Sequence, residues 1–208
     1  MARPGFGKGS EARDARSSIT HLDRDRALVE AARRDPDRFD ALYRRYLAQV
    51  YNFAFYELAD HHAAEDATER TFLAALANLN RFEERAQPAD GEGASTFRVW
   101  LFRIARNVIA NERRYHRRHR TAAIEDAASV PDSTDVERGV AARDEAAEAW
   151  WAVATLPPDR RRAIVLRFVD DLSTAEIAGV LGRSEGAVRV LIHRGLRAVA
   201  RELDRARR

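Results

Sequence analysis

Residues 174–193 read TAEIAGVLGRSEGAVRVLIH, and the fold is decided there. Ser173 precedes the stretch and makes S-x-x-E with Glu176, a capping box that satisfies orphan helix N–H groups from both directions. Ile177, Ala178 and Leu181 follow at helical spacing on one face. Gly182 stands where a helix needs a left-handed residue to stop. Ser184 can cap a second helix, whose apolar spacing runs through Val188, Leu191 and Leu196. Ala178 is small enough for two helices to cross closely. The pattern predicts a helix-turn-helix, built to lay its second helix in a DNA major groove. An ordinary helical hairpin would share the caps and the glycine. The second helix adds a basic outward face of Arg189, His193, Arg194 and Arg197, with no carboxylate between Glu185 and Glu202. Such a face is the electrostatic footprint of a nucleic-acid binder.

The composition around this motif excludes more than it assigns. The 208 residues suffice for one large or two small domains. Basic and acidic side chains number 36 and 33, so the net charge of +3 decides little. Lys8 is the only lysine; every other base is arginine, which suits phosphate forks and guanine edges but also follows genomic base composition. The absence of cysteine excludes disulfides, cysteine-ligated zinc and thiol catalysis. No apolar run approaches the roughly 20 residues of a membrane span. The N-terminus lacks the apolar core of a signal peptide, so a soluble cytoplasmic protein is expected.

Working outward from the motif, residues 1–22 are rich in Gly, Ser, Arg and charge and are expected to be a disordered extension. Leu22 to Arg34 predicts a short helix. Asp35-Pro36 restarts the chain, with Asp as cap and Pro at the first helical position. Phe39, Leu42, Tyr43, Tyr46, Val50 and Phe53 then mark an amphipathic helix to about Leu58, its aromatics on one core-facing stripe. Asp60 can cap a helix from His61 to about Leu79. Phe72, Leu73, Leu76 and Leu79 supply its apolar side, and Glu65, Asp66 and Glu69 its early turns. Those carboxylates complement the helix dipole or form a docking surface for a basic partner. Adjacent His61 and His62 point in different directions on a helix, so no metal site is expected with Glu65.

Residues 80–94 hold Pro88, Gly91 and Gly93 among charges and predict a loop. Ser95 caps the next helix, with Phe97, Trp100, Leu101, Ile104 and Val108 as its buried stripe and Arg103, Asn107 and Arg114 beside it. Its end, ERRYHRRHR at 112–120, is more basic than a helix dipole requires. With Tyr115, Phe97 and Trp100 it suits phosphate contact and base stacking on a single strand. Residues 121–142 turn acidic and poor in large apolar side chains, the pattern of a flexible linker. Arg143 to Leu156, Asp159 to Asp170 and the helix-turn-helix complete the chain, with Pro157-Pro158 as a break.

Two helical modules, one ending in an aromatic and basic helix and the other in a helix-turn-helix, resemble a bacterial sigma factor of the sigma-70 family. The likeness is to the small extracytoplasmic-function (group four) type, which keeps only the second and fourth conserved regions. It is carried by AEDATERTFLAAL (64–76), FRVWLFRIARNVIANERR (97–114), LPPDRRRAIVLRFVDDLSTAEIAGVLG (156–182) and GAVRVLIHRGLRAV (186–199). The resemblance implies an all-α fold of two small domains: region 2 over 23–120 and region 4 over 143–208, with the linker at 121–142 between them. It implies that Glu65, Asp66, Glu69 and Phe72 dock on core RNA polymerase at the beta-prime clamp helices, with the beta flap as a further contact. Arg81, Phe82, Phe97, Trp100, Arg103, Asn107, Asn111, Arg114 and Arg117 would open and hold the minus-ten promoter strand. Ser184, Glu185, Arg189, His193, Arg194 and Arg197 would read the minus-thirty-five duplex. An anti-sigma protein is a further partner that the family suggests. Family members often carry Gln then Glu where this chain has Glu69-Arg70, and an acidic residue where Asn111 stands.

A conventional helix-turn-helix regulator with an N-terminal sensor domain is the alternative; it accounts for residues 174–193 but not for the aromatic-basic helix. An enzyme is disfavoured, since no phosphate loop, H-E-x-x-H or nucleophile motif is present. No catalytic residue, metal, cofactor, small-molecule substrate or membrane insertion is expected.

Overall fold

In the computed structural model, residues 25–86, 95–122 and 148–206 are described, and of 116–122 only the backbone. The expected extension 1–22, loop residues 87–94 and linker residues 123–142 lie outside them. Helix α1 covers residues 25–34. The Asp35 carboxylate accepts the Asp37 N–H at 3.1 Å, and Pro36 opens a short 3-10 turn, Pro36–Arg38, into α2 (Phe39–Leu58). Ala59 ends α2 in the left-handed region, at φ 56°. Asp60 accepts the Ala63 N–H at 2.7 Å and starts α3 (His61–Asn78). A second 3-10 turn, Leu79–Arg81, leads toward α4 (Phe97–Ala122). Beyond it come α5 (residues 148–154), α6 (Pro158–Phe168, proline in its first turn), α7 (Thr174–Leu181) and α8 (Glu185–Ala206). Among the described residues no helix is long and apolar enough to cross a membrane.

The first helical unit is a bundle of α2, α3 and α4. Leu42, Tyr46, Val50 and Phe53 of α2 pack with Phe97, Leu101, Phe102 and Ile109 of α4, all buried. Helix α1 is pinned to α2 by Asp25, whose buried carboxylate accepts the Tyr46 hydroxyl and pairs with Arg45 at 3.0 Å. The second unit packs α6, α7 and α8 around Ile164, Leu166, Ile177, Val180 and Val188.

Three expectations are corrected. Leu73 and Leu76 of α3 point outward; the buried side of α3 is Ala64, Ala67, Thr71, Phe72 and Ala75, because small residues let α3 lie close on its neighbours. Leu196 is 45% exposed. Gly195 takes the buried position on α8, where an added Cβ would meet Ile164 Cδ1 at 2.8 Å, so α6 and α8 lie close together there. The stripe on α4 is wider than expected, taking in Arg98, Phe102, Ala105 and Glu112, while Trp100, Ile104 and Val108 are half-buried. The cause is that α4 packs on both sides, against α2 and α3 and also against α7 of the second unit. Across that contact the buried residues of the two units join in one apolar cluster.

Candidate nucleic-acid and protein interfaces

The helix-turn-helix forms as its residues dictate. Ser173 and Glu176 complete the capping box, each side chain on the other's backbone N–H, at 3.2 and 2.8 Å. Gly182 turns the chain at φ 65°, a conformation that costs a residue with a Cβ. Ser184 then accepts the Ala187 N–H at 3.3 Å and starts α8. Arg189, His193, Arg194 and Arg197 are all exposed on α8. Arg160 of α6 and Arg201 join the last three around a shallow hollow of about 400 Å³. Arg189 is engaged by Glu185 at 2.9 Å, one helical turn earlier. A ridge of this charge and residue type suits phosphates and guanine edges.

On the first unit the acidic cluster divides. Glu65, Glu69 and Phe72 line an apolar groove of about 420 Å³ between α2 and α3, with Phe39, Tyr43, Leu47, Leu73 and Leu76. Asp40 adds a further carboxylate to its rim. Asp66 faces a separate cleft of about 1620 Å³, together with Arg70, Asn111, Glu112 and Arg114. The histidine rings diverge: His61 Nδ1 meets the Tyr51 hydroxyl at 2.6 Å, and His62 lies 3.7 Å from Glu65.

The residues expected to hold a single strand are spread over two environments. Phe82 and Phe97 are buried and stack edgewise on each other at 5.8 Å. Phe82 also lies 5.2 Å from Trp100, and Arg33 caps its far face at 5.5 Å. Trp100, half-buried, is the one of these three rings with surface to offer, and the two phenylalanines hold it in place. Arg81, Asn107, Asn111 and Arg114 are exposed. The side chain of Arg117 lies outside the described residues. Glu84 closes the stem of the loop from one carboxylate oxygen, accepting the Ala86 N–H at 3.1 Å and the Thr96 N–H and hydroxyl at 2.7 and 2.9 Å. Burial opposes its charge, but these bonds and one from Ser95 outweigh it and hold Glu84 below the usual carboxylate range.

Arg103 is exposed, yet its Nε donates to the Gly179 carbonyl at 2.7 Å. Arg106 donates to the Val180 carbonyl at 2.7 Å. Between the same two helices Arg98 is buried and grips Glu176 with two bonds of 2.8 Å, plus one of 3.1 Å to the Asp171 carbonyl. Burial disfavours both charges; the paired bonds outweigh it, so Glu176 is held below its ordinary range and Arg98 above its own. A second junction centres on Glu57 at the end of α2, buried among Arg113 at 2.9 Å, Arg161 at 3.5 Å and Arg162 at 3.0 Å. Asp170 is fully buried, with neither oxygen hydrogen-bonded. Burial pushes its carboxyl up to about 8, against the pull of Arg98.

Sequence reasoning missed Arg98, Glu57, Arg106 and Asp170. A signal existed for two of them. Arg98 lies three and four residues before Leu101 and Phe102, and Glu57 four after Phe53, so each charge interrupts an apolar stripe. A charge there needs a buried partner.

A family model of sigma-70 region 2 matches residues 42–119, and one of sigma-70 region 4 matches residues 150–207. The chain is similar to the ECF RNA polymerase sigma factor BldN of Streptomyces coelicolor, 35% identical over 180 residues, 85% of this chain and 64% of BldN. It is similar to the ECF RNA polymerase sigma factor SigL of Mycobacterium tuberculosis, 32% identical over 76% of this chain and 85% of SigL. Its fold is similar to that of CnrH solved in complex with the cytosolic domain of CnrY, with a TM-score of 0.62 and 28% identity over 86% of this chain and 97% of that one.

Proposed function

The chain belongs to the extracytoplasmic-function sigma factors of the sigma-70 family, and on that premise we propose that it binds core RNA polymerase and directs it to promoters. In this reading the groove between α2 and α3 takes the beta-prime clamp helices. Its apolar floor and the rim of Asp40, Glu65 and Glu69 complement an amphipathic basic partner. The second unit reaches the beta flap and lays α8 in the minus-thirty-five duplex. Helix α4, with Trp100, Arg103, Asn107, Asn111, Arg114 and Arg117, captures the melted minus-ten strand. Bond-making belongs to polymerase, and the protein works where polymerase does, in the cytoplasm. An anti-sigma protein is the partner that would hold it inactive.

The cationic ridge of α8 carries this reading, standing on a completed helix-turn-helix within the matched region 4. The region 2 match over the first unit replaces the alternative of a sensor domain there. The test is transcription by core polymerase with and without the protein on a promoter library. Promoter-selective transcripts are expected only with the protein. Arg189→Ala should cost about 1–3 kcal/mol of promoter binding and relax one base position. Identical transcript profiles with and without the protein refute the assignment.

A further inference from the structure

We propose that Val190, on the exposed face of α8, reads the 5-methyl group of a thymine in the duplex, and that Gly186 one turn earlier lets the helix come close enough for that contact. The proposal rests on the sigma-factor reading above. It adds a base identity, an A·T pair, that the cations of α8 do not supply.

The first support is position. Gly186, Arg189, Val190, His193, Arg194 and Arg197 recur at three- and four-residue steps and are all exposed, so they share one face of α8. Val188 and Gly195 are buried on the opposite face. Val190 is 45% exposed, and its neighbours one turn away on the exposed face are Gly186, His193 and Arg194. Phosphates and guanine edges gain nothing from a valine among those cations. In the major groove the thymine methyl is the apolar surface that does. Valine is also stiff in a helix, where one χ1 rotamer dominates. Its methyls are therefore in place before the contact, and little side-chain freedom is lost in making it.

An exposed valine alone would carry little, since single apolar side chains are common on surfaces. Gly186 makes the difference. Gly179 and Gly195 each have a reason inside the molecule: an added Cβ would meet Val99 Cγ1 or Ile164 Cδ1 at 2.8 Å. At Gly186 an added Cβ meets nothing within 4 Å. Glycine weakens a helix, and here no internal packing requires it. What its missing side chain leaves open is the approach from outside, on the face that carries Val190.

The third support is a division along α8. Arg160 of α6 gathers with Arg194, Arg197 and Arg201 around one hollow toward the later turns. Cations drawn from two helices suit phosphates, whose contacts fix register and leave sequence to other residues. The first turns, from Gly186 to Val190, are then free for base edges, and the N-terminal residues of a recognition helix are the ones that reach them.

The experiment uses the full chain with core polymerase on the promoter that the library selects most strongly. Each thymine of the minus-thirty-five element, on either strand, is replaced in turn by deoxyuridine. That change removes the 5-methyl group and keeps every hydrogen-bonding group. Wild type should lose about fourfold in affinity at one thymine, the factor expected for one buried methyl. Val190→Ala should bind the thymine and deoxyuridine duplexes alike, with unchanged helical content by circular dichroism, because the side chain is exposed. Gly186→Leu should keep its helical content and weaken binding to every duplex. An element without an A·T pair, a wild type indifferent to deoxyuridine at every thymine, or a methyl effect that survives Val190→Ala overturns the proposal. Wild-type affinity in Gly186→Leu overturns the close approach. A wild type that yields no promoter-selective transcript refutes the sigma reading and this proposal with it, whereas selective transcription without a methyl effect refutes the proposal alone.

Discussion

At the scale of the residue, Asp170 has the most to reveal. It is fully buried at the junction of the units, faced by Arg98 from α4 and coupled to Tyr56 of α2. Its carboxyl is raised from 3.8 to about 8 by burial, so the folded state favours the neutral acid. A raised carboxyl leaves stability intact below the unfolded value and erodes it as pH climbs toward the folded one. The loss runs at up to about 1.4 kcal/mol per pH unit and stops above pH 8. Asp170→Asn removes the titration. Urea unfolding of wild type and variant at pH 6, 7, 8 and 9 should show the variant gaining relative stability up to pH 8 and then levelling. A pH-independent difference would mean that Asp170 is solvated or paired in solution. Glu57 makes the opposite case, a buried carboxylate with three guanidiniums. Glu57→Gln removes the buried carboxylate that Arg113, Arg161 and Arg162 share. Breaking such a site should cost about 3–5 kcal/mol, read as a lower denaturation midpoint at unchanged m-value.

At the scale of the element, α3 and α4 each present two working sides. On α3, Glu65 and Glu69 look into the apolar groove, while Asp66 looks into the cleft beside Arg70. Reversing Glu65 and Glu69 to Arg should weaken binding to core polymerase about tenfold or more, whereas Asp66→Arg alone should act much less. Neither change should shift folding stability by more than about 0.5 kcal/mol, because the side chains are exposed. An anisotropy titration with core polymerase ranks them, and equal losses would refute the groove as the docking surface. On α4, the basic end lies on a helix that continues to Ala122. If Arg114 and Arg117 each meet a phosphate, replacing both with Gln should lower open-complex formation. It should also flatten the salt dependence of strand binding by about 0.7 log unit per lost contact. Permanganate footprinting at several salt concentrations measures this. A steeper or unchanged slope would remove these arginines from the strand path. Duplex binding through α8 should survive, since the ridge of Arg189, His193 and Arg194 belongs to the other unit.

At the scale of the whole molecule, the two units are joined by charge as much as by apolar packing. Arg98 with Glu176, and Glu57 with Arg161 and Arg162, cross from one unit to the other. The partners are 78 to 105 residues apart in sequence, so the pairings exist only once both units have folded. The α8 ridge and the α2–α3 groove stand open in the packed arrangement, whereas Arg103 and Arg106 on α4 are engaged with α7.

The local signals in the chain were sufficient for its elements. Caps at Asp35, Asp60 and Ser173, the stop at Gly182 and apolar spacing of three and four residues act within one or two helical turns, so they can be read from neighbours in sequence. The cationic ridge of α8 was legible for the same reason: a helix facing solvent displays its charges by periodicity alone. The tertiary structure decided which apolar residues are covered. Leu73, Leu76 and Leu196 have core-like spacing but are exposed, because small residues at Ala67, Ala75 and Gly195 took the close contacts. It also decided what buried charges are for. Periodicity records that Arg98 and Glu57 sit on apolar faces, but their partners are set by which surfaces meet after the chain folds back, and desolvation makes those pairings matter only then.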